Sequence, residues 1–171
     1  MPEPAGKSTL RQFAEILCAH GVEFIVIGGQ AEILMGGARV TFDVDLCYRR
    51  TPENLERLAA ALQEIGPTLR GAPADLKFRL DAGALALGNN FTFRTPLGDL
   101  DLLGYLEPIG GYEELVNRAT IETIGDLRVR VIALDDLITI KTHIQRPKDR
   151  DSLLQLLAIR RIRSEGKAKE E

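Results

Sequence analysis

The spacing of apolar residues predicts alternating helices and strands along the chain. Between residues 8 and 20 they recur at helical spacing, and Gly21 ends that helix. The β-branched and aromatic run over residues 22–27 predicts a strand that leads into a Gly-Gly pair. A short helix over residues 30–35 and a second strand over residues 43–48 are predicted to follow.

The remaining pattern adds a longer helix, two pairs of strands and a closing pair of helices. Thr51-Pro52-Glu53 gives a cap, a proline and an acid at the start of a helix that extends to Ile65. Residues 66–88 fit no single element. The other predicted elements are strands over 90–94, 98–103, 120–124 and 127–132, and helices over 112–119, 134–144 and 149–163. The sequence therefore predicts a mixed α/β (α+β) fold with a sheet of about five or six strands, flanking helices and a C-terminal helical pair.

Composition narrows the class of protein. The 171 residues carry a net charge of −3, and they predict one domain over residues 1–165 with a charged tail over 166–171. No apolar run reaches the ~18 residues that a membrane helix needs, and the N-terminus shows no signal sequence. Cys18 and Cys47 form no CxxC pair, so we expect a cytoplasmic protein with reduced thiols. The negative charge disfavours binding of long nucleic acid.

Two pairs of aspartates are the strongest candidates for chemistry. Asp43 and Asp45 alternate with apolar residues, so both carboxylates are expected on one face of a strand. Like charges placed so close repel, and a divalent cation is the simplest compensation, although a solvated strand edge is the alternative. Asp99 and Asp101 repeat the pattern. Two such strands predict neighbours that converge on one metal centre.

Gly28 and Gly29 lie between the first strand and a short helix. Glycines at such a place let the backbone approach a ligand closely, and a helix start offers N–H groups to phosphate. The pair belongs to neither a Walker loop nor a GxGxxG motif. Taken alone, it predicts only a turn.

Taken together, these motifs resemble the DNA polymerase beta-type nucleotidyltransferase superfamily. They are a Gly-Gly pair, a gap of 13 residues (30–42), an Asp-x-Asp pair and a later acid on a strand. The resemblance implies that Gly28 and Gly29 seat a nucleoside triphosphate (NTP). It implies that Asp43 and Asp45 hold two Mg²⁺ (or Mn²⁺) ions and that Asp101 is the third acid.

The third acid is assigned to Asp101 rather than Asp99 because the family's acid is embedded in an apolar strand, as in Leu100–Leu103. The resemblance implies that this carboxylate binds the metal on the nucleophile side. It is also the candidate acceptor of the proton of the attacking hydroxyl.

Other motifs extend the resemblance over roughly residues 22–157, to small bacterial proteins related to the AbiEii toxin family and the minimal nucleotidyltransferases. These motifs are Arg39-Val-Thr41, Tyr112–Leu115, Leu127–Val131, Leu134–Leu137 leading to Lys141, and Arg146–Asp151. The chain is shorter than typical AbiEii toxins. It also lacks Val-Arg-Asp after the glycines, which excludes a tRNA CCA-adding enzyme.

Several residues around these motifs are candidate phosphate ligands. Lys141 is predicted to reach the triphosphate as a point charge, with a solvated lysine as the alternative. Arg39 and Thr41 are candidates because they precede the acids. Asp149 and Asp151 are expected to cap or begin the last helix. Orientation of Lys141 or Lys148 is the alternative role for these two acids.

Three hypotheses follow. The first is a Mg²⁺-dependent enzyme that transfers a nucleoside monophosphate from an NTP to a protein side chain, an RNA end or a small molecule, with release of pyrophosphate. The second is a non-catalytic relative that binds a nucleotide or an antitoxin-like partner protein in a toxin–antitoxin pair. The third is a metal-binding protein without a nucleotide, which leaves Gly28, Gly29 and Lys141 unexplained.

Overall fold

The computed structural model describes residues 6–38, 40–73 and 80–170. For residues 169 and 170 it describes the backbone without the side chains. The helices are α1 (Thr9–Ala19), α2 (Gly28–Leu34), α3 (Pro52–Ile65), α4 (Ala82–Leu87), α5 (Tyr112–Leu115), α6 (Leu134–Ile144) and α7 (Arg150–Glu170), with a 3₁₀ turn over Pro147–Asp149. The strands are β1 (Phe24–Ile27), β2 (Val44–Tyr48), β3 (Thr68–Leu69), β4 (Asn90–Thr95), β5 (Gly98–Leu103), β6 (Thr120–Ile124) and β7 (Leu127–Val131).

The strands form one mixed sheet in the order β3-β4-β5-β2-β1-β7-β6. The pairs β2–β5 and β1–β7 are parallel, and the other pairs are antiparallel. This confirms the predicted mixed sheet with flanking helices and includes all six predicted strands. The seventh, β3, has two residues, too few to show a period in the sequence.

Side-chain caps and a glycine set three helix ends, and the cap at Thr51 agrees with the prediction. The Ser8 hydroxyl accepts a hydrogen bond from the Arg11 N–H at the start of α1, and the Thr51 hydroxyl accepts one from the Asn54 N–H at the start of α3. Gly66 ends α3 in the left-handed conformation. These caps hold α1 and α3, which pack against each other over the apolar core.

Cys47 is fully buried in that core. Burial, with a smaller contribution from the charge of Glu114, raises the pKa of its thiol to about 12. Because the thiolate is the reactive form of cysteine, this residue serves as a small apolar core residue.

The C-terminal segment differs from its prediction. Helix α7 continues to Glu170, so the charged stretch predicted as a tail extends a helix. Exposed i,i+4 pairs such as Arg161–Glu165, 3.2 Å apart, support it locally. Within the described ranges, no helix has the length and apolar character needed to cross a membrane.

Candidate active site

The paired strands β2 and β5 bring the two acidic motifs together. In their parallel register, Asp45 lies directly opposite Asp101, on backbones about 4.8 Å apart. Both residues are partly buried, whereas Asp43 is exposed, just before β2 begins. The prediction that the two acidic strands are neighbours is therefore confirmed.

One cavity of about 320 Å³ contains most of the predicted site. Seven predicted residues line it, namely Gly28, Gly29, Thr41, Asp43, Asp45, Asp101 and Lys141. Arg39 lies outside the described residues. Asp101, the acid preferred in the sequence analysis, lines the cavity, whereas Asp99 is not among its lining residues.

The two glycines are required by close packing against the residues near the acids. Gly28 has a φ of +64°, and a Cβ added there would overlap Asp45 Oδ2. A Cβ on Gly29 would lie 2.9 Å from Thr41 Cγ2. The backbone after β1 therefore touches the acidic strand and the segment before it, an approach that larger residues would prevent.

Gly28→Ala is expected to disturb the site, whereas Gly66→Ala is not. Both positions have positive φ, but no atom of the described residues lies within 4 Å of a Cβ at Gly66. Each substitution should therefore cost about 1–2 kcal/mol of folding free energy from the backbone alone. In urea denaturation, Gly28→Ala should cost more, because Asp45 must move. Equal losses in the two variants would contradict this packing argument.

Lys141 is buried rather than solvated. Its Nζ lies 2.6 Å from Glu32 Oε1 on α2 and 3.3 Å from Asp149 Oδ1, and all three side chains are less than a tenth exposed. The contact with Asp149 matches the alternative role given above to that acid. Glu32 was not predicted, although an acid in the apolar helix after the glycines requires a buried partner.

Asp149 connects this buried lysine to the rim of the cavity. Arg146 Nε donates to Asp149 Oδ2 at 2.7 Å. Burial alone would raise the pKa of Asp149, but the hydrogen bond from Arg146 and the charge of Lys141 outweigh it and hold the pKa below its ordinary value. Arg146 and Lys148 are exposed and line the cavity. Neither was predicted as a ligand.

Arg70 contacts Asp101 from the side of β5 that faces β4, away from β2. Its Nη2 donates to Asp101 Oδ1 at 2.9 Å and to the Phe93 carbonyl oxygen at 3.0 Å. Its Nε lies 3.5 Å from Asp99 Oδ2. Sequence reasoning missed Arg70 because it lies in the stretch that fits no single element.

The carboxylates fit a Mg²⁺ site in donor chemistry, because hard cations take carboxylate oxygens. They are not gathered around one point: in the described part of the chain, no three His, Cys, Asp or Glu side chains are placed to hold a metal ion. Asp101 instead faces Arg70.

The fold is similar to that of known nucleotidyltransferases. The lincosamide antibiotic adenylyltransferase LnuA, solved with lincomycin bound, superposes with a TM-score of 0.61 at 14% identity, over 88% of this chain and 96% of that one. The antibiotic-resistance factor ANT(2'')-Ia gives 0.54 at 15% identity, over 95% and 93%. TM1012 of Thermotoga maritima, a candidate nucleotidyltransferase, gives 0.54 at 14% identity, over 87% and 90%.

These likenesses establish the fold. No protein-family model matches the chain, and no curated protein matches it either. The chemistry of the cavity must therefore be argued from its own residues.

Proposed function

We propose that this chain, which has a nucleotidyltransferase-like fold, transfers a nucleoside monophosphate from an NTP to the hydroxyl of a small-molecule acceptor and releases pyrophosphate. The observation that supports this most directly is the register of Asp45 against Asp101, with Asp45 packed on Gly28 at the edge of the same cavity. Carboxylates for a metal ion and a close backbone turn for phosphate meet there.

The proposed reaction forms one bond and breaks another at the α-phosphorus. The acceptor oxygen bonds to phosphorus as the bond to the pyrophosphate oxygen breaks, and the hydroxyl proton passes to a carboxylate, for which Asp101 is the candidate. Asp43, Asp45 and Asp101 would hold Mg²⁺ or Mn²⁺, which when bound neutralises phosphate charge and activates the hydroxyl.

The triphosphate is assigned mainly to Arg146 and Lys148. Lys141 is buried between Glu32 and Asp149 and is less accessible to phosphate, whereas Arg146, which also pairs with Asp149, is exposed. The exposed cations at the rim face the same cavity. In this proposal Lys141 acts through Asp149 to position Arg146.

A small molecule is the favoured acceptor for two reasons. The cavity is in the size range of small-molecule sites. The negative net charge of the protein also disfavours long RNA. Its apolar lining is Ile27, Leu103, Leu106, Leu137, Ile140 and Ile144. The LnuA comparison is consistent with this assignment, since that enzyme is an antibiotic adenylyltransferase.

Thermal unfolding with each NTP, with and without Mg²⁺ or Mn²⁺, tests the nucleotide site. A ligand at 100-fold its Kd adds about 2.7 kcal/mol, and each kcal/mol raises the Tm by about 2–4 °C at this length. We expect a metal-dependent rise in the wild type and in Asp99→Asn, the matched control outside the cavity. Asp45→Asn should lose that rise.

Absence of a shift with every NTP, in a chain that unfolds cooperatively, would contradict the proposal. A shift without transfer of an α-phosphate label to any hydroxyl compound would favour the non-catalytic nucleotide-binding relative. The AbiEii relationship and the antitoxin-like partner stay predictions from the sequence.

A further inference from the structure

We infer that Arg70 is a built-in counter-ion of Asp101, which positions this carboxylate and competes with a divalent cation for it. The inference rests on the proposed function, because it concerns the same carboxylate. It adds a control on metal binding that the catalytic motifs do not contain.

The guanidinium of Arg70 donates hydrogen bonds to two oxygen atoms and lies within ion-pair distance of a third. Arg70 follows the edge strand β3 and reaches across β4 to β5, where it contacts Asp101 at 2.9 Å and Asp99 at 3.5 Å. The carbonyl of Phe93 on β4 accepts a third contact at 3.0 Å. An exposed pair with one partner contributes little. This side chain is only 28% exposed and has acceptors on two strands, so its position is well defined.

The arrangement places a guanidinium beside a carboxylate that also faces a second carboxylate. Asp45 and Asp101 lie opposite each other in the parallel register, where like charges repel. Arg70 offsets that repulsion by binding Asp101 from the β4 side. A cation that uses both carboxylates must share Asp101 with the guanidinium or displace it.

Arg70 is therefore expected to compete more effectively with a bare divalent cation than with one that is bound to a nucleotide. A bare divalent cation has only the carboxylates and water with which to compete against Arg70. A cation that arrives with a triphosphate brings additional oxygen ligands. We therefore expect weak binding of the bare metal, and stronger binding when the guanidinium charge is removed.

Binding of Mn²⁺ alone to the purified full chain, measured by electron paramagnetic resonance, tests this inference. Arg70→Gln should bind Mn²⁺ about tenfold more tightly (~1.4 kcal/mol) than the wild type, because the ion no longer breaks a charge-assisted hydrogen bond. Arg70→Lys keeps the charge and should stay near the wild type. Arg70→Met, a second neutral variant that keeps an apolar side chain, should show the same gain in Mn²⁺ affinity as Arg70→Gln.

Arg94→Gln is the matched control. Arg94 lies on β4 opposite Asp99 in the register, so its loss removes the same charge close by without removing the Asp101 contact. We expect its Mn²⁺ affinity to stay within about twofold of the wild type. In Arg70→Gln/Asp101→Asn the gain should disappear.

Equal affinity in Arg70→Gln and the wild type would overturn the inference, as would no detectable binding by either neutral variant at millimolar Mn²⁺. The same gain in Arg94→Gln would also overturn it, because the effect would then be general. These results are independent of the nucleotide experiment. Tighter Mn²⁺ binding without any NTP-dependent shift would refute the proposed function and retain the role of Arg70.

Discussion

Replacing Lys141 by methionine is expected to lower the free energy of unfolding by about 3–5 kcal/mol. The substitution leaves Glu32 and Asp149 buried without the ammonium that lies between them, and a buried carboxylate without its cation is costly. At about 2–4 °C for each kcal/mol, the Tm should fall by roughly 6–20 °C. Urea denaturation and thermal unfolding measure the loss.

Lys148→Met is the control for this experiment. It removes the same charge from an exposed position near the same cavity, and its effect should stay within about 0.5 kcal/mol. A similar small loss in Lys141→Met would show that the lysine is not the centre of a buried network.

The stability that the buried Glu32–Lys141–Asp149 group contributes is expected to depend on pH. The pKa of Asp149 is lower in the folded chain than its ordinary value of 3.8. Its contribution to stability is therefore complete above that ordinary value and is lost as the pH falls through the folded pKa. Part of this acid sensitivity should disappear in Lys141→Met, because one of the two cations that lower the pKa is removed.

Asp101→Asn is expected to reduce nucleotide transfer by about 10²–10⁴-fold, the usual contribution of a general base. An amide keeps the shape of the side chain but cannot take the proton of the acceptor, and it is a poorer ligand for a hard cation. Transfer of label from an α-labelled NTP to the acceptor measures the effect.

Asp99→Asn is the matched control for transfer. This aspartate lies two residues earlier on the same strand but does not line the cavity. We expect its rate to fall by less than about tenfold, since the change weakens its 3.5 Å contact with Arg70 and leaves the cavity lining intact. Equal losses in the two variants would reject Asp101 as the single third acid.

The main architecture could be predicted from the sequence because its signals are local. The β-branched and aromatic run before Gly28 predicted β1, the alternation of acids with apolar residues fitted β2, and the cap at Thr51 predicted the start of α3. The repeated Asp-x-Asp pattern correctly predicted that β2 and β5 are neighbours. In these cases, the residues that determine the structure lie within a few positions of one another.

The environment of the site depends on contacts between distant parts of the chain, and these could not be read from the sequence. Glu32 meets Lys141 only after α2 and α6 have packed around the sheet. Arg70 reaches Asp101 because the two-residue β3 pairs with β4. Neither contact has a spacing that could reveal it. Lys141 was therefore expected to be solvated or bound to phosphate, and its burial was missed.

The two partners of the Arg70–Asp101 pair lie at different positions in the sheet, one beside its edge and one in its interior. Asp101 lies on β5, next to the central strand β2, with a hydrogen-bonded neighbour on either side. Arg70 follows β3, a two-residue strand at the edge of the sheet. Edge segments open locally at a much lower free energy than central strands do. We therefore expect amide hydrogen exchange to be faster around Arg70 than around Asp45 and Asp101, whose strands lie inside the sheet.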